Sequence, residues 1–388
     1  MKPASARRLL PCALAALLGA CTTPAPRPSA PVVTAPVAAA ADAPATPASI
    51  EPAAPDDWEK LRRSFAMPGC DADPAILARA RFETRHPRQF EQTLGQVLPR
   101  LDLVQRLAAG HAVAGEFVLL PWVESHYRPD ASVGRNRQLA GMWQFTTSTA
   151  RSMGLATGPQ HDQRLDIQTS TRAALQLLER YYRHFGDWRV SAYAYNVGEY
   201  ALRGHVRRLG APGAEPAIPD LPVRAGAREH LTRLLAIACV IREPERFDVT
   251  LPTLDAAERI EIVPLSVPTT RRAAAARAGI DEAELRQLNA ALGSPLIDPV
   301  RTPSLLLTAA QAQRWRSAAD ILPDAGELAA ARTAATPPAT ATHTVRPGES
   351  LWSIARRHAV RVTELKRWNH LTERPLQPGQ ILLIDSPD

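Results

Sequence analysis

The chain has 388 residues, of which 45% are hydrophobic and 22% charged, and it carries a formal net charge of +7. This length exceeds what a single compact core usually supports, so the sequence predicts two or three domains. The basic excess comes from arginines scattered along helical segments, without a Lys/Arg-rich block or an aromatic RNA-binding pattern. The charge therefore indicates a solvated basic surface and argues against a nucleic-acid partner.

The first 21 residues have the pattern of an export signal. Lys2, Arg7 and Arg8 precede an apolar run of about ten residues, half of the ~20 that a membrane-spanning helix needs. The run closes with Leu-Gly-Ala-Cys at residues 18–21, which resembles a bacterial lipobox whose cysteine, Cys21, becomes lipidated. An ordinary cleaved signal that contains a cysteine is the alternative.

A threonine rather than an aspartate follows Cys21. By resemblance to proteobacterial lipoproteins, this implies the periplasmic face of the outer membrane, with membrane lipid as a partner through acylated Cys21. Each buried CH2 of an acyl chain contributes ~0.8 kcal/mol, so several chains would anchor the protein firmly.

Two cysteines remain in the exported chain, Cys70 and Cys239, because Cys12 leaves with the signal and Cys21 is expected to be lipidated. The periplasm is oxidising, which permits a disulfide between them. Two buried free thiols are equally compatible with the sequence, which does not show how far apart the two Cα atoms lie.

Composition and periodicity divide the rest of the chain. Residues 22–55 are almost entirely Ala, Pro, Thr, Ser and Val, which predicts a disordered tether. Residues 56–245 have apolar side chains three and four residues apart, which predicts an all-α domain with a motif core at 105–245. A second Ala/Thr/Pro-rich stretch, residues 324–341, predicts a linker.

Residues 259–315 and 342–386 form an internal repeat. Matching residues lie at a constant offset of 80: Glu284-Leu285 and Asn289 in the first unit, and Glu364-Leu365 and Asn369 in the second. Each unit has the pattern of a short strand, two helices and a short strand. The predicted fold class is therefore mainly α, with an all-α domain followed by small α+β (βααβ) modules.

Glu124 is the strongest candidate for a catalytic residue. It lies at the end of the apolar segment Glu-Phe-Val-Leu-Leu-Pro-Trp-Val-Glu-Ser at residues 116–125. Burial disfavours the charged form of a carboxyl group, so Glu124 is expected to hold a proton that it can donate. Glycosidic bond cleavage needs such a donor, because the leaving oxygen departs poorly without a proton. Considered alone, the segment is equally compatible with a surface glutamate at a helix end.

Three further segments follow in order. Gly-Met-Trp-Gln-Phe at 141–145 supplies a glycine for close approach and an amide that can hydrogen-bond a sugar N-acetyl group. Asp-Gln-Arg-Leu-Asp at 162–166 leads into an apolar helix, and Ala-Tyr-Ala-Tyr-Asn-Val-Gly at 192–198 supplies a hydroxyl and a second amide. Each motif is weak alone, but four in this order are specific.

The ordered set resembles the lytic transglycosylases of the Slt type, which have a goose-lysozyme-like fold. The resemblance covers roughly residues 105–245. It implies that Glu124 is the general acid/base and that Ser125 helps to orient it. The implied substrate-binding residues are Ser125, Gly141, Met142, Gln144, Tyr195 and Asn196.

The sequence departs from this family at one place. Family members often have a glutamate and, four residues later, a tyrosine before the final helix of the domain, whereas this chain has Gly226 and His230. His230 is either a hydrogen-bonding substitute for the tyrosine or a sign that this edge of the cleft has diverged. No catalytic role is assigned to it from the sequence.

The resemblance implies peptidoglycan glycan strands as the substrate. Glu124 would protonate the oxygen between MurNAc and GlcNAc and then, as a base, accept the proton of the MurNAc C6 hydroxyl, leaving a 1,6-anhydro end. One alternative is a hydrolytic muramidase on the same fold, with Asp130 or Asp162 as a second carboxylate. Another is a non-catalytic wall-binding lipoprotein, which the combination of Glu124 and Asn196 disfavours.

The second repeat resembles a LysM domain, a module that binds N-acetylglucosamine-containing glycans in a shallow groove. The matching residues are Thr-His-Thr-Val-Arg-Pro-Gly-Glu-Ser-Leu-Trp at 342–352 and Leu-Gln-Pro-Gly-Gln at 376–380. The resemblance implies a groove framed by Gly348, Glu349, Ser350, Pro378 and Gly379. A βααβ spacer without a ligand is the alternative.

The first repeat is a degenerate version of the same module. It has Val-Pro-Thr-Thr at 267–270 where the second has Pro-Gly-Glu-Ser, so its glycan binding is in question. Histidines are scattered and no Cys/His ligand spacing occurs, so neither a metal nor another cofactor is expected. The protein is expected to act as a monomer.

Overall fold

The structure, a computed structural model, describes residues 56–134, 137–158, 160–318, 321–335, 342–369, 371 and 375–384. The predicted signal, the lipobox with Cys21 and the predicted tether lie outside these residues. No helix of the described chain is both long and apolar enough to span a membrane.

Nine α-helices within residues 56–249 form the helical domain. They are α1 (Asp57–Arg63), α2 (Pro74–Glu83), α3 (Pro87–Ala108), α4 (Leu120–Ser125), α5 (Thr147–Ser152), α6 (Ile167–Phe185), α7 (Trp188–Val197), α8 (Glu199–Leu209) and α9 (Ala225–Arg242). Helix α9 is central, because residues 234–241 are fully buried and the helix packs against α2, α4 and α7. The predicted mainly helical fold is confirmed.

Helix α6 illustrates how local sequence sets the helix ends. The Asp166 side chain accepts a hydrogen bond from the Thr169 N–H at the start, and Gly186 ends the helix with φ 65°. Glycine adopts this left-handed conformation more easily than other residues. It lets the Gly186 N–H donate to the Tyr182 carbonyl in the last turn. The predicted stop at Gly186 is confirmed, although Tyr182 of the apolar stripe stays 38% exposed and stacks on Trp188.

A small antiparallel sheet interrupts the helices. Strands β1 (Ser132–Val133), β2 (Leu139–Ala140) and β3 (Phe145–Thr146) pair in that order. Strands of two residues are too short to produce an alternating pattern, so the sequence did not reveal them. Their importance lies in the turn between β2 and β3, which contains residues 141–144.

Cys70 and Cys239 form a disulfide that joins residues 169 positions apart. Both side chains are buried in the core of the helical domain. The bond links α9 to the short 3-10 helix Cys70–Ala72 that precedes α2. Because it closes a long loop, it restricts the unfolded chain strongly.

Replacing both cysteines with alanine (C70A/C239A) is therefore expected to lower the free energy of unfolding by about 2–5 kcal/mol. The loss should be measured by urea denaturation followed by far-UV circular dichroism. A reducing agent should destabilise the wild type by a similar amount and leave the double variant unchanged. Equal stability of the two proteins in oxidising buffer would contradict a stabilising role for the bond.

The first module contains residues 259–318. Its central pair is β4 (Ile260–Pro264) with β7 (Ser304–Thr308), and the other elements are β5 (Thr269–Thr270), α10 (Arg271–Ala278), α11 (Glu282–Leu288), β6 (Leu296–Ile297) and α12 (Ala309–Ser317). It packs against the helical domain: Arg106 of α3 donates to the Ile260 carbonyl, and Ala291 packs against Ala140 and Leu165.

The prediction of a linker at residues 324–341 is wrong for its first part. Residues 325–335 form α13 (Ala325–Ala335), which packs against β5 and β6 of the first module. Alanine is the best helix former, so an Ala-rich composition fits a docked helix as well as a linker. Residues 336–341 lie outside the described chain.

The second module has strands β8 (Thr342–Thr344) and β9 (Ile381–Leu383) and helices α14 (Leu351–Arg357) and α15 (Val362–Trp368). An asparagine has the same role in both modules. Asn369 donates to the Leu383 carbonyl and accepts from the Leu383 N–H, and Asn289 does the same with Leu306. This shared pairing supports the sequence repeat.

Candidate active site around Glu124

Glu124 lies in the last turn of α4, which follows the buried 3-10 helix Gly115–Leu119. Pro121 occupies the first turn, where its missing N–H costs no hydrogen bond, and His126 ends the helix with φ 52°. The six-residue helix is held by burial of its apolar residues rather than by its length. The Glu124 side chain is 15% exposed, so it is partly screened from water.

His230 of α9 is the partner of Glu124. Its Nε2 lies 2.9 Å from Glu124 Oε1, and the His230 side chain is 10% exposed. Nδ1 is buried without a hydrogen-bond partner in the described chain. An Nε2–H donates to an ionised Glu124, whereas the bare nitrogen accepts from a protonated Glu124. With Nε2 protonated, His230 donates to Glu124 Oε1 whether or not the other carboxyl oxygen carries a proton.

Replacing His230 with alanine is expected to lower kcat roughly 10–100-fold with little change in KM, because the carboxyl group loses its orientation. H230Q keeps an amide that can donate to Glu124 and should retain most of the activity. Steady-state cleavage of purified sacculi would measure both. Equal losses in the two variants would contradict an orienting hydrogen bond.

Ser125 connects α4 to the turn between β2 and β3. Its Oγ donates to the Met142 carbonyl at 2.8 Å, and the side chain is buried. The expectation that Met142 lines a sugar subsite does not fit this geometry, because its side chain is 1% exposed and lies in the hydrophobic core. Met142 contributes a carbonyl that holds Ser125.

Gly141 and Gln144 shape that turn. Gly141 has φ 80°, and a Cβ built there would lie 1.7 Å from the Arg164 carbonyl oxygen. Gln144 has φ 49°, and its amide donates to the Gly141 carbonyl at 2.8 Å. The Gln144 side chain is largely buried at the base of the turn. The sequence predicted that Gly141 permits a close approach. In the structure, the group that approaches Gly141 is the backbone of Arg164.

Neither candidate for a second carboxylate contacts Glu124. Asp162 is buried and forms a salt bridge with the buried Arg164 at 2.7 Å. The same arginine donates to the Phe145 carbonyl, so the pair braces the β2–β3 turn. Asp130 is exposed.

Tyr195 and Asn196 approach the site from the end of α7. The Tyr195 hydroxyl donates to the Trp143 carbonyl at 2.6 Å. Burial and, next, the nearby Glu124 carboxylate raise the pKa of Tyr195 well above its ordinary value, so the phenol stays protonated. Arg224 donates to the Asn196 side chain at 3.1 Å. Sequence motifs indicated Tyr195 and Asn196, but no signal pointed to Arg224.

In the second module, Glu349 fixes the loop before α14. It accepts from the Arg346 N–H at 2.9 Å and contacts His343 Nε2 at 2.6 Å. These bonds lower the pKa of Glu349 to about 2. Gly348 and Gly379 both have positive φ, on the two loops expected to frame the groove. Trp352, in the first turn of α14, is 63% exposed and was not among the predicted residues.

The described chain contains no group of three or more His, Cys, Asp or Glu residues arranged to hold a metal ion. The site around Glu124 consists of one carboxyl group, one imidazole and several amides and hydroxyls. Such a set can transfer protons and hydrogen-bond a sugar.

The residues that surround Glu124 define the class of the domain. Residues 105–217 match the family described as the Transglycosylase SLT domain, and residues 343–385 match the LysM domain. The chain therefore contains a transglycosylase SLT domain and carries a LysM domain behind it.

Individual proteins are similar to this chain over longer segments. The chain is 33% identical over 274 residues to "Membrane-bound lytic murein transglycosylase D" of Escherichia coli strain K12, covering 69% of this chain and 59% of that protein. It is 36% identical over 151 residues to a "Putative tributyltin chloride resistance protein" of Alteromonas sp. strain M-1, covering 70% of that protein. The chain thus spans only 59% of the length of that transglycosylase.

Proposed function

We propose that the protein is a lytic transglycosylase that cleaves the bond between MurNAc and GlcNAc in peptidoglycan and leaves 1,6-anhydro-MurNAc ends. The observation that carries this proposal is a single carboxyl group, Glu124, paired with His230 and not contacted by a second carboxylate. Hydrolysis usually needs two carboxylates on opposite sides of the bond. A substrate hydroxyl removes the need for the second one.

The proposed reaction uses Glu124 twice. As an acid, it gives its proton to the glycosidic oxygen and the C1–O bond breaks. As a base, it accepts the proton of the MurNAc C6 hydroxyl, whose oxygen forms the new bond to C1. The Nε2–H of His230 donates to Glu124 Oε1 in both states, so that the other carboxyl oxygen, Oε2, carries the proton that is transferred.

Mass spectrometry of digested sacculi tests the reaction. Anhydro ends are expected, without incorporation of ¹⁸O from labelled water. Reducing ends that carry ¹⁸O would indicate a muramidase instead. Absence of new ends, with retention on sacculi, would indicate a wall-binding protein without activity.

The second module is proposed to hold the glycan strand through the groove framed by Gly348, Glu349, Ser350, Pro378 and Gly379. Trp352, two residues after Ser350 at the start of α14, is exposed, and an exposed aromatic ring is suited to the apolar face of a sugar ring, although Arg356 lies over it at 5.3 Å. The first module has different residues at the positions that correspond to this groove. There Thr270 corresponds to Ser350 and Arg272 to Trp352, at the offset of 80 residues.

Helix α13 covers that position in the first module. Glu327 accepts a hydrogen bond from Thr270 and forms a salt bridge with Arg272 at 3.1 Å. Strands β5 and β6 also pair with each other in this module, with Thr270 opposite Leu296. We therefore propose that the first module is a closed spacer and that glycan binding belongs to the second.

A matched pair of substitutions tests this division. W352A is expected to raise the Kd for purified sacculi roughly tenfold through loss of an aromatic contact. R272A, at the equivalent position of the first module, should change the Kd less than twofold. Binding should be measured by co-sedimentation in the inactive E124Q background. An equally large effect of R272A would show that the first module binds glycan.

The envelope location is part of the same proposal. Acylation of Cys21 would retain the protein at the periplasmic face of the outer membrane, within reach of peptidoglycan. Incorporation of labelled palmitate that is lost in C21S would support this, and an unlabelled wild type would contradict it.

A further inference from the structure

The strand pair β4–β7 of the first module contributes side chains to two hydrophobic cores. Successive side chains of a strand point to opposite faces. Leu305 and Leu307 of β7 are buried in the core of the module itself. Leu306, which lies between them, and Ile260 of β4 are instead buried in the core of the helical domain. The module is therefore packed onto the helical domain through side chains on one face of this strand pair.

A buried asparagine fixes the loop after α11 to the same strands. Asn289 donates to the Leu306 carbonyl at 2.8 Å and accepts from the Leu306 N–H at 2.9 Å. The loop also closes on itself, because the Leu292 N–H donates to the Asn289 carbonyl at 3.1 Å. Since Leu306 is anchored in the core of the helical domain, the intervening residues Ala290 and Ala291 are held in place beside that domain.

Ala291 contacts the two segments that shape the β2–β3 turn. It forms one small cluster with Ala140 and Leu165, and all three side chains are buried. Ala140 directly precedes Gly141 in the chain. Leu165 directly follows Arg164, whose carbonyl lies against Gly141. The module thus packs against the neighbours of both residues that form the close contact at the start of the turn.

The turn connects this contact to the proposed acid/base. Met142 follows Gly141, and its carbonyl accepts from the Ser125 Oγ at 2.8 Å. Ser125 directly follows Glu124 in α4. A shift of the turn would therefore displace the residue next to Glu124, and a misplacement of about 1 Å can cost on the order of 10²-fold in rate.

We propose that the first module is part of the catalytic unit, with Asn289 and Ala291 as positioning residues for the β2–β3 turn. The inference rests on the proposed function, because it gives a task to the turn that holds Ser125 beside Glu124. Supporting groups locked by packing and buried hydrogen bonds keep reacting groups within the narrow geometry that catalysis needs. The module contributes to cleavage without contacting the glycan, since it acts through the turn.

Asn369 offers a matched control in the full-length protein. It makes the same two hydrogen bonds to Leu383 in the second module, whose hydrophobic core is built from its own side chains. N289A is expected to lower kcat on sacculi roughly tenfold, with little change in the Kd for sacculi measured by co-sedimentation in the E124Q background. N369A should do the reverse, with a raised Kd and a kcat within about twofold of the wild type.

Amide hydrogen exchange tests the contact without turnover. The Gly141 N–H donates to the Ala131 carbonyl, and the Gln144 N–H donates to the Gly141 carbonyl, so both amides should exchange slowly in the wild type. N289A should speed their exchange roughly tenfold while α9 stays protected. N369A should leave the exchange of these two amides unchanged.

A291G keeps the test decisive if N289A unfolds the first module, which loss of protection in β4 and β7 would reveal. It removes only the Cβ that packs against Ala140 and Leu165, so kcat should fall about threefold with the module intact. A283G, at an exposed position of α11, is its control and should leave kcat and exchange in the turn unchanged.

Unchanged kcat together with unchanged exchange at residues 141–144, in a folded N289A or A291G protein, would overturn this inference and leave the proposed cleavage intact. Failure of the wild type to form new ends would instead refute the proposed function. The exchange comparison would then still decide whether the first module holds the turn.

Discussion

Replacing Glu124 with glutamine is expected to lower kcat on sacculi roughly 10²–10⁴-fold, the usual contribution of a positioned acid/base. The amide keeps the shape of the carboxyl group, and its oxygen can still accept from His230 Nε2, which lies 2.9 Å from Glu124 Oε1. It cannot give or take the proton. Because the substitution removes only the proton transfer, binding to sacculi should be preserved.

Glu229 is the matched control for this experiment. It directly precedes His230 on α9, but its carboxylate forms a salt bridge with Arg79 instead of approaching Glu124. E229Q should therefore keep kcat within about twofold of the wild type, since the lost ion pair is solvent-exposed and weak. If E124Q retained more than a tenth of the wild-type rate, Glu124 would not be the acid/base.

Replacing Gly141 with alanine is expected to lower the free energy of unfolding by about 3–5 kcal/mol, the sum of backbone strain and a steric clash. Gly141 has φ 80°, and an added Cβ would lie 1.7 Å from the Arg164 carbonyl oxygen. Neither the Gly141 nor the Arg164 segment can move freely. Arg164 forms a salt bridge with Asp162, and the Gly141 N–H donates to the Ala131 carbonyl. Turnover should also fall, since the turn holds Gln144 and Met142.

Gly154 separates the two contributions. It has φ 78°, nearly the same backbone conformation, but an added Cβ there meets no atom within 4 Å. G154A should therefore cost only about 1–2 kcal/mol of strain. Urea denaturation of both variants measures the difference, and equal losses would show that the contact with Arg164 can relax.

Much of the helical domain could be predicted because its signals are local. Helices α3 and α6 have long apolar stripes, and Asp166 and Gly186 mark the ends of α6. The disulfide could not be decided, because the 169 residues between Cys70 and Cys239 carry no information on their distance. Helix α13 was missed because Ala-rich composition is ambiguous without knowledge of the surface it packs against.

The predicted site stays a prediction, and the structure departs from it at Met142. Ordered motifs predicted Glu124, Tyr195 and Asn196, and the Tyr195 hydroxyl does contact the turn that holds Ser125, through the Trp143 carbonyl. Met142 was assigned to a sugar subsite, but its side chain is buried, since a motif gives residue types and not the direction in which they point. Whether its carbonyl or its side chain is used depends on the turn between β2 and β3.

The sequence by itself determined the class of the domains and predicted Glu124 as the acidic residue, because both inferences depend on residue types within short motifs. The pairing of Glu124 with His230 was decided only by tertiary structure. The two residues are 106 positions apart, and they meet because α4 packs against the central helix α9. Packing likewise decided that α13 covers β5 and β6 of the first module, since this contact joins segments that are distant in the sequence.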